Sequence, residues 1–130
     1  MRKKLFIVED NANILYGLQA KFSVAGFEVA INSGNESEPG IAGKIIAARP
    51  DYLILDLILP KADGFKILSA LKAPGGLPGL PVFAFTDLGD KESREKGLKL
   101  GISHYLIKNE LNVDEFVEKV VKIISNLEKK

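Results

Sequence analysis

The chain has 130 residues, 46% of them hydrophobic, no cysteine and a formal net charge of +1. Disulfide frameworks and thiolate metal sites are therefore excluded, and no whole-protein field draws the chain to nucleic acid or to an anionic membrane. The length suits one domain that buries about two-thirds of its unfolded surface, and the apolar fraction argues against disorder.

The start, Arg2, Lys3 and Lys4 before an apolar run, could mimic an export signal. Glu9 and Asp10 interrupt it too early, so a first strand over 4–8 is predicted instead. No stretch approaches the length of a transmembrane helix, and a cytoplasmic location is expected. Asn35-Glu36-Ser37 fits a glycosylation sequon that means nothing without secretion.

A helix is predicted over 13–25, where Ile14, Leu15, Leu18, Phe22 and Ala25 share a face and Gly26 provides the stop. A short strand follows over 27–31. Residues 36–48 read as helical in their second half, where Ile41, Ile45 and Ala48 line up. Glu38, Pro39, Gly40 and Gly43 are poor helix material, so a frayed or looped start is expected.

The run 51–56, bounded by Pro50 and Pro60, is apolar without alternation, the pattern of a strand covered on both faces in a parallel sheet. Asp63 and Gly64 read as a turn and the start of a helix over 63–72 with Phe65, Leu68 and Leu71 inward. A Pro- and Gly-rich breaker over 73–81 precedes a strand over 81–85. Asp90 can cap a heavily charged fourth helix ending at Gly101, a solvated face on composition alone. In the strand over 103–107, His104 is an edge or surface residue without a second His or Cys to make a metal site. Asn112 and Glu115 form a capping-box pair ahead of the stripe Val113, Phe116, Val117, Val120, Val121, Ile124 and Leu127. Lys119 and Lys122 make no nucleic-acid footprint. The strand–helix alternation argues for a single α/β domain with a parallel sheet.

Four of the strand runs end in polar groups: Glu9 and Asp10, Asp56, Thr86, and Lys108. Each has a plainer use alone, as a helix cap, a strand residue or a surface charge. At the carboxyl ends of neighbouring parallel strands they would converge on one rim. An acidic pair, a further carboxylate, a hydroxyl and an ammonium suit a divalent metal and a phosphoryl group.

Together, Phe-Ile-Val-Glu9-Asp10, Leu-Ile-Leu-Asp56-Leu-Ile-Leu-Pro60-Lys-Ala-Asp63-Gly64, Val-Phe-Ala-Phe-Thr86 and Tyr105-Leu-Ile-Lys108 resemble the receiver domain of two-component response regulators. The resemblance covers essentially the whole chain, in order. It implies a flavodoxin-like (βα)5 fold with a five-stranded parallel sheet in the order 2-1-3-4-5. It further implies Asp56 as phosphoacceptor, Mg²⁺ held by Glu9, Asp10, Asp56 and the Ile58 carbonyl, and Thr86 and Lys108 on the phosphoryl oxygens. Tyr105 would follow Thr86 as a switch for the face made by the fourth helix, fifth strand and fifth helix. The implied partners are a sensor histidine kinase or phosphotransfer protein and a downstream target, not nucleic acid or membrane. The expected state is a monomer or weak phosphorylation-dependent dimer. A single receiver domain without an output domain is expected, and no enzyme activity in the usual sense.

Three features depart from that pattern. Asn109 follows Lys108 where the family usually has a cis proline; a non-proline cis bond costs about 2.5–4 kcal/mol, so a trans link is expected. Asp87 stands where a small residue is usual and would repel an anionic donor. The region around Glu38, Pro39 and Gly40 is longer than usual by about one helical turn. Asn109 and Asp87 motivate an alternative, a receiver-like interaction module that works without phosphate. An aspartyl-phosphate phosphohydrolase fits less well, because the first strand ends in Glu-Asp-Asn rather than Asp-x-Asp. A nucleotide site lacks its Gly-rich loop.

Overall fold

The structure, a computed structural model, describes residues 2–129. The order is β1 (Lys4–Val8), α1 (Ala12–Val24), β2 (Glu28–Asn32), α2 (Glu38–Ala48), β3 (Tyr52–Leu55), α3 (Gly64–Lys72), β4 (Val82–Thr86), α4 (Lys91–Lys99), β5 (His104–Ile107) and α5 (Val113–Glu128). A 3-10 turn, Lys108–Glu110, follows β5. The five strands are all parallel, in the order β2-β1-β3-β4-β5. This is the flavodoxin-like arrangement, as expected.

Successive strand side chains point to opposite faces, so each central strand feeds two cores. Leu5, Ile7, Ile54, Phe83 and Phe85 pack under α1 and α5 against Leu18, Phe22, Phe116 and Val120. Phe6, Val8, Leu53, Leu55 and Val82 pack on the other face against Ile41 and Ile45 of α2 and Ile67, Leu68 and Leu71 of α3. Coverage on both faces explains the unbroken apolar strands. Each fully buried side chain of this size contributes about 1.5–3 kcal/mol.

Several local expectations are corrected. The start of α2 is not frayed: Ser37 caps it by accepting from the Gly40 amide at 3.3 Å, and Pro39 sits in the first turn, where a missing N–H costs nothing. Ala25 is exposed as the C-cap of α1. On α3 the inward set includes Ile67, whereas Phe65 is half-buried with the Lys96 ammonium 4.5 Å from its ring centre. Leu127 is exposed at the end of the α5 stripe. His104 lies on the edge strand β5, as expected, and stacks on Phe83 with ring centres 5.1 Å apart. The capping box at Asn112 and Glu115 is present.

Asp63 caps α3 through the Phe65 amide at 2.8 Å, the structural use expected of it. Gly64 lies directly on the strand exit: a Cβ there would fall 2.5 Å from Leu57 Cα and 2.9 Å from its carbonyl oxygen. Backbone cannot yield as a flexible side chain can. Gly64→Ala is therefore expected to destabilise the fold by about 1–3 kcal/mol. The midpoint of urea unfolding should fall at unchanged slope; an unmoved midpoint would contradict this packing.

Candidate functional site

Parallel register brings the strand ends together. The Asp56 amide continues the ladder onto the Val8 carbonyl at 3.0 Å, and the Glu9 amide onto the Asn32 carbonyl at 3.1 Å. Thr86 pairs with Ile107, so Lys108 emerges beside the end of β4. Glu9, Asp56 and Thr86 retain only 2%, 4% and 0% of their exposure. Two buried carboxylates need a partner charge, because burial without one costs several kcal/mol, roughly.

Lys108 is that partner. Its ammonium donates to Asp56 Oδ2 at 2.7 Å and to Glu9 Oε2 at 2.8 Å. It also lies against Glu9 Oε1, but at an angle that leaves this buried oxygen without a hydrogen bond. Asp56 Oδ1 accepts from the Ile58 amide at 3.1 Å. Burial pushes the Glu9 carboxyl up to about 7; the Lys108 hydrogen bond opposes this and the Asp56 charge adds to it. For Lys108, burial disfavours the charge, but the hydrogen bonds to Asp56 and Glu9 prevail and the ammonium's pKa is raised.

Asp10 is exposed and is not the cap of α1; Asn11 takes that role, accepting from the Ile14 amide at 3.0 Å. Asp10 is thus left to the site. Glu9, Asp10 and Asp56 each bring a carboxylate oxygen within 4.8 Å of the others. This all-oxygen set fits a hard divalent cation such as Mg²⁺. The Ile58 carbonyl accepts no hydrogen bond among the described residues. A cavity of about 270 Å³ opens over the acids, bordered by Asp10, Asp56, Ile58, Asp87 and Lys108. Asn11 and Ile14 also line it, which the helical periodicity of α1 did not signal.

Thr86 stands apart from that contact set. Its hydroxyl oxygen accepts from the Leu88 amide at 3.4 Å, and the Tyr105 hydroxyl donates to the Leu88 carbonyl at 2.6 Å. Thr86 and Tyr105 therefore meet at the backbone of one residue of the β4–α4 loop, Leu88, one at its amide and the other at its carbonyl. Leu88 was invisible to sequence reading because only its backbone takes part. The Tyr105 ring lies close to Gly97, where a Cβ would fall 3.1 Å from Cε2, and beneath Arg94. No cis peptide occurs among the described residues, so the Lys108–Asn109 link is trans as expected.

Fold and site together define a CheY-like α/β protein with an acidic, lysine-bridged centre at the carboxyl end of its sheet. The chain belongs to the response regulator receiver domain family, whose model matches residues 5–121. Among similar solved structures is a CheY-like receiver domain protein from Methanospirillum hungatei, 25% identical, with a TM-score of 0.82 over 99% of this chain and 98% of that one. The BeF3-activated DrrB receiver domain is also 25% identical, with a TM-score of 0.77 over 96% and 99% of the two chains. The transcriptional regulatory protein CusR of Escherichia coli is 36% identical over 107 residues, covering 81% of this chain but 44% of CusR. The DNA-binding regulator RpaA of Synechocystis is 29% identical over 119 residues, 90% of this chain and 47% of RpaA. The chain thus spans less than half the length of these curated relatives. Among the described residues no helix is long and apolar enough to cross a membrane.

Proposed function

We propose that the chain accepts a phosphoryl group on Asp56 from a histidine kinase or phosphotransfer protein in the cytoplasm. The observation that carries this reading is Asp56 itself, buried at the floor of an open cavity with its carboxylate held by Lys108 and the Ile58 amide. Attack by an Asp56 oxygen forms an O–P bond as the donor's N–P bond breaks, and the imidazole leaves with a proton from solvent. Bound Mg²⁺, for which Glu9, Asp10, Asp56 and the Ile58 carbonyl are the fitting ligands, supplies the positive charge that lets two anions approach.

The chain's own groups do the rest. Lys108 is already aimed at Asp56 and transfers its hydrogen bond to a phosphoryl oxygen. The Thr86 hydroxyl, released from Leu88, donates to another. Loss of the Thr86–Leu88 bond frees the amide of the residue whose carbonyl Tyr105 holds, biasing the α4–β5–α5 face between two arrangements. That face would meet the downstream target, the protein being a monomer or a weak dimer when phosphorylated. The test is phosphoryl uptake from acetyl phosphate by intact mass, with Mg²⁺ or with EDTA. One added group that requires Mg²⁺ is expected; none, with folded protein and excess donor, would overturn the reading.

Asp87 favours a second reading, a phosphate-independent module, because its exposed carboxylate borders the cavity that a donor must occupy. Under the first reading it slows small anionic donors instead. Asp87→Ala is expected to speed uptake from acetyl phosphate by about two- to fivefold, the worth of one solvent-screened charge at this range. The gain should shrink in high salt; an equal or slower variant rate would remove the electrostatic role.

A further inference from the structure

Resting on the receiver reading, we infer that Glu38 is a positioning residue for the phosphoacceptor centre, acting from the first turn of α2 through the β3–α3 loop. Its Oε2 accepts the Asp63 amide at 2.8 Å in a partly buried contact. Asp63 pairs with Ile58 in an isolated antiparallel bridge. The Gly64 amide closes that bridge onto the Leu57 carbonyl at 3.1 Å. Ile58 in turn gives its amide to Asp56 Oδ1 at 3.1 Å, and its carbonyl has no donor among the described residues. An unbroken line of backbone contacts therefore runs from Glu38 to the nucleophilic carboxylate and to the free carbonyl beside it.

A separate contact says that the β2–α2 segment is built as a brace. Gly34 is buried against Leu59 of the β3–α3 loop, so closely that a Cβ there would fall 2.6 Å from Leu59 Cδ2. The segment is itself anchored: buried Asn32 accepts the Gly34 amide at 2.7 Å and donates to Glu36 at 3.0 Å, and Lys44 holds Glu36 at 2.8 Å. Residues 32–38 thus form an anchored arch that delivers Glu38 to the Asp63 amide and Gly34 to Leu59. Without Glu38 the Asp63 amide loses its acceptor, and the bridge that sets Ile58 is free to shift.

Three variants test this. Glu38→Ala is expected to weaken Mg²⁺ binding and slow uptake from acetyl phosphate by about three- to tenfold, the effect of a sub-ångström misplacement. Glu38→Gln keeps an oxygen acceptor and should stay within about twofold of wild type. Ser37→Ala removes the α2 cap but leaves the Glu38–Asp63 bond, so it should lower thermal stability without changing Mg²⁺ affinity. In metal-free protein the Ile58 amide resonance should move in Glu38→Ala and hold in Glu38→Gln. An unchanged Ala variant, a Gln variant as impaired as Ala, or a Ser37→Ala variant with the same loss would overturn the inference. If wild type takes up no phosphoryl group, the receiver reading falls by itself, and the Ile58 resonance alone decides the brace: movement in Glu38→Ala supports it and constancy rejects it.

Discussion

Asp56→Asn is expected to abolish phosphoryl uptake, lowering it by at least about a thousandfold, because an amide is no nucleophile at neutral pH. The substitution is close to isosteric. Its carbonyl oxygen can still accept from the Ile58 amide, which Asp56 holds at 3.1 Å. Its amide nitrogen would face the Lys108 ammonium, two donors without an acceptor between them. Lys108 keeps its bond to Glu9, so the variant should fold, as circular dichroism and thermal unfolding can verify. The measurement is intact mass after exposure to acetyl phosphate and Mg²⁺. Uptake at the wild-type level would place the acceptor elsewhere, with exposed Asp10 the first carboxylate to examine.

The second large effect is electrostatic and concerns stability without metal. Glu9 is raised from 4.5 to about 7 in the folded chain, chiefly by burial. Between those values the folded state binds the extra proton, so stability falls as pH rises from about 4.5 to 7 and then levels off. The loss for this one group is on the order of 3 kcal/mol. In EDTA, urea midpoints should therefore be lower at pH 7.5 than at pH 5. Mg²⁺ should recover most of the difference, since a cation takes the proton's place among the carboxylates. Lys108→Met sharpens the contrast: without the ammonium, Glu9 and Asp56 face each other buried and unpaired. That variant should lose about 3–5 kcal/mol at pH 7.5 in EDTA and regain much of it at pH 5 or with Mg²⁺. A flat pH profile in EDTA would show that Glu9 titrates like a surface carboxylate.

Much of the site was legible before any coordinate. Glu9, Asp10, Asp56, Thr86 and Lys108 stand at the ends of apolar runs, and such runs buried in a parallel sheet must deliver their ends to one rim. Local rules also read the Asp63 and Asn112 caps correctly, because a cap is decided by neighbours within one turn. They misjudged α2, where Pro39 and Gly40 suggested fraying; Ser37 at the preceding position outweighs them. They also chose Phe65 over Ile67 on α3, because the inward face depends on how the helix rotates against Ile41 and Ile45 across from it.

What the amino-acid sequence determined alone was the order and kind of the elements, most of their ends, and which chemistry stands at each strand exit. These are properties of near neighbours and of periodicity. Tertiary structure decided which groups meet. Lys108 bridges Glu9 and Asp56 from 99 and 52 positions away, and Glu38 reaches the Asp63 amide across 25. Thr86 and Tyr105 converge on the Leu88 backbone. The Lys108 bridge depends on strand order, and the contacts at Asp63 and Leu88 use main-chain donors and acceptors that every residue carries, so residue type leaves no mark of those two in the chain.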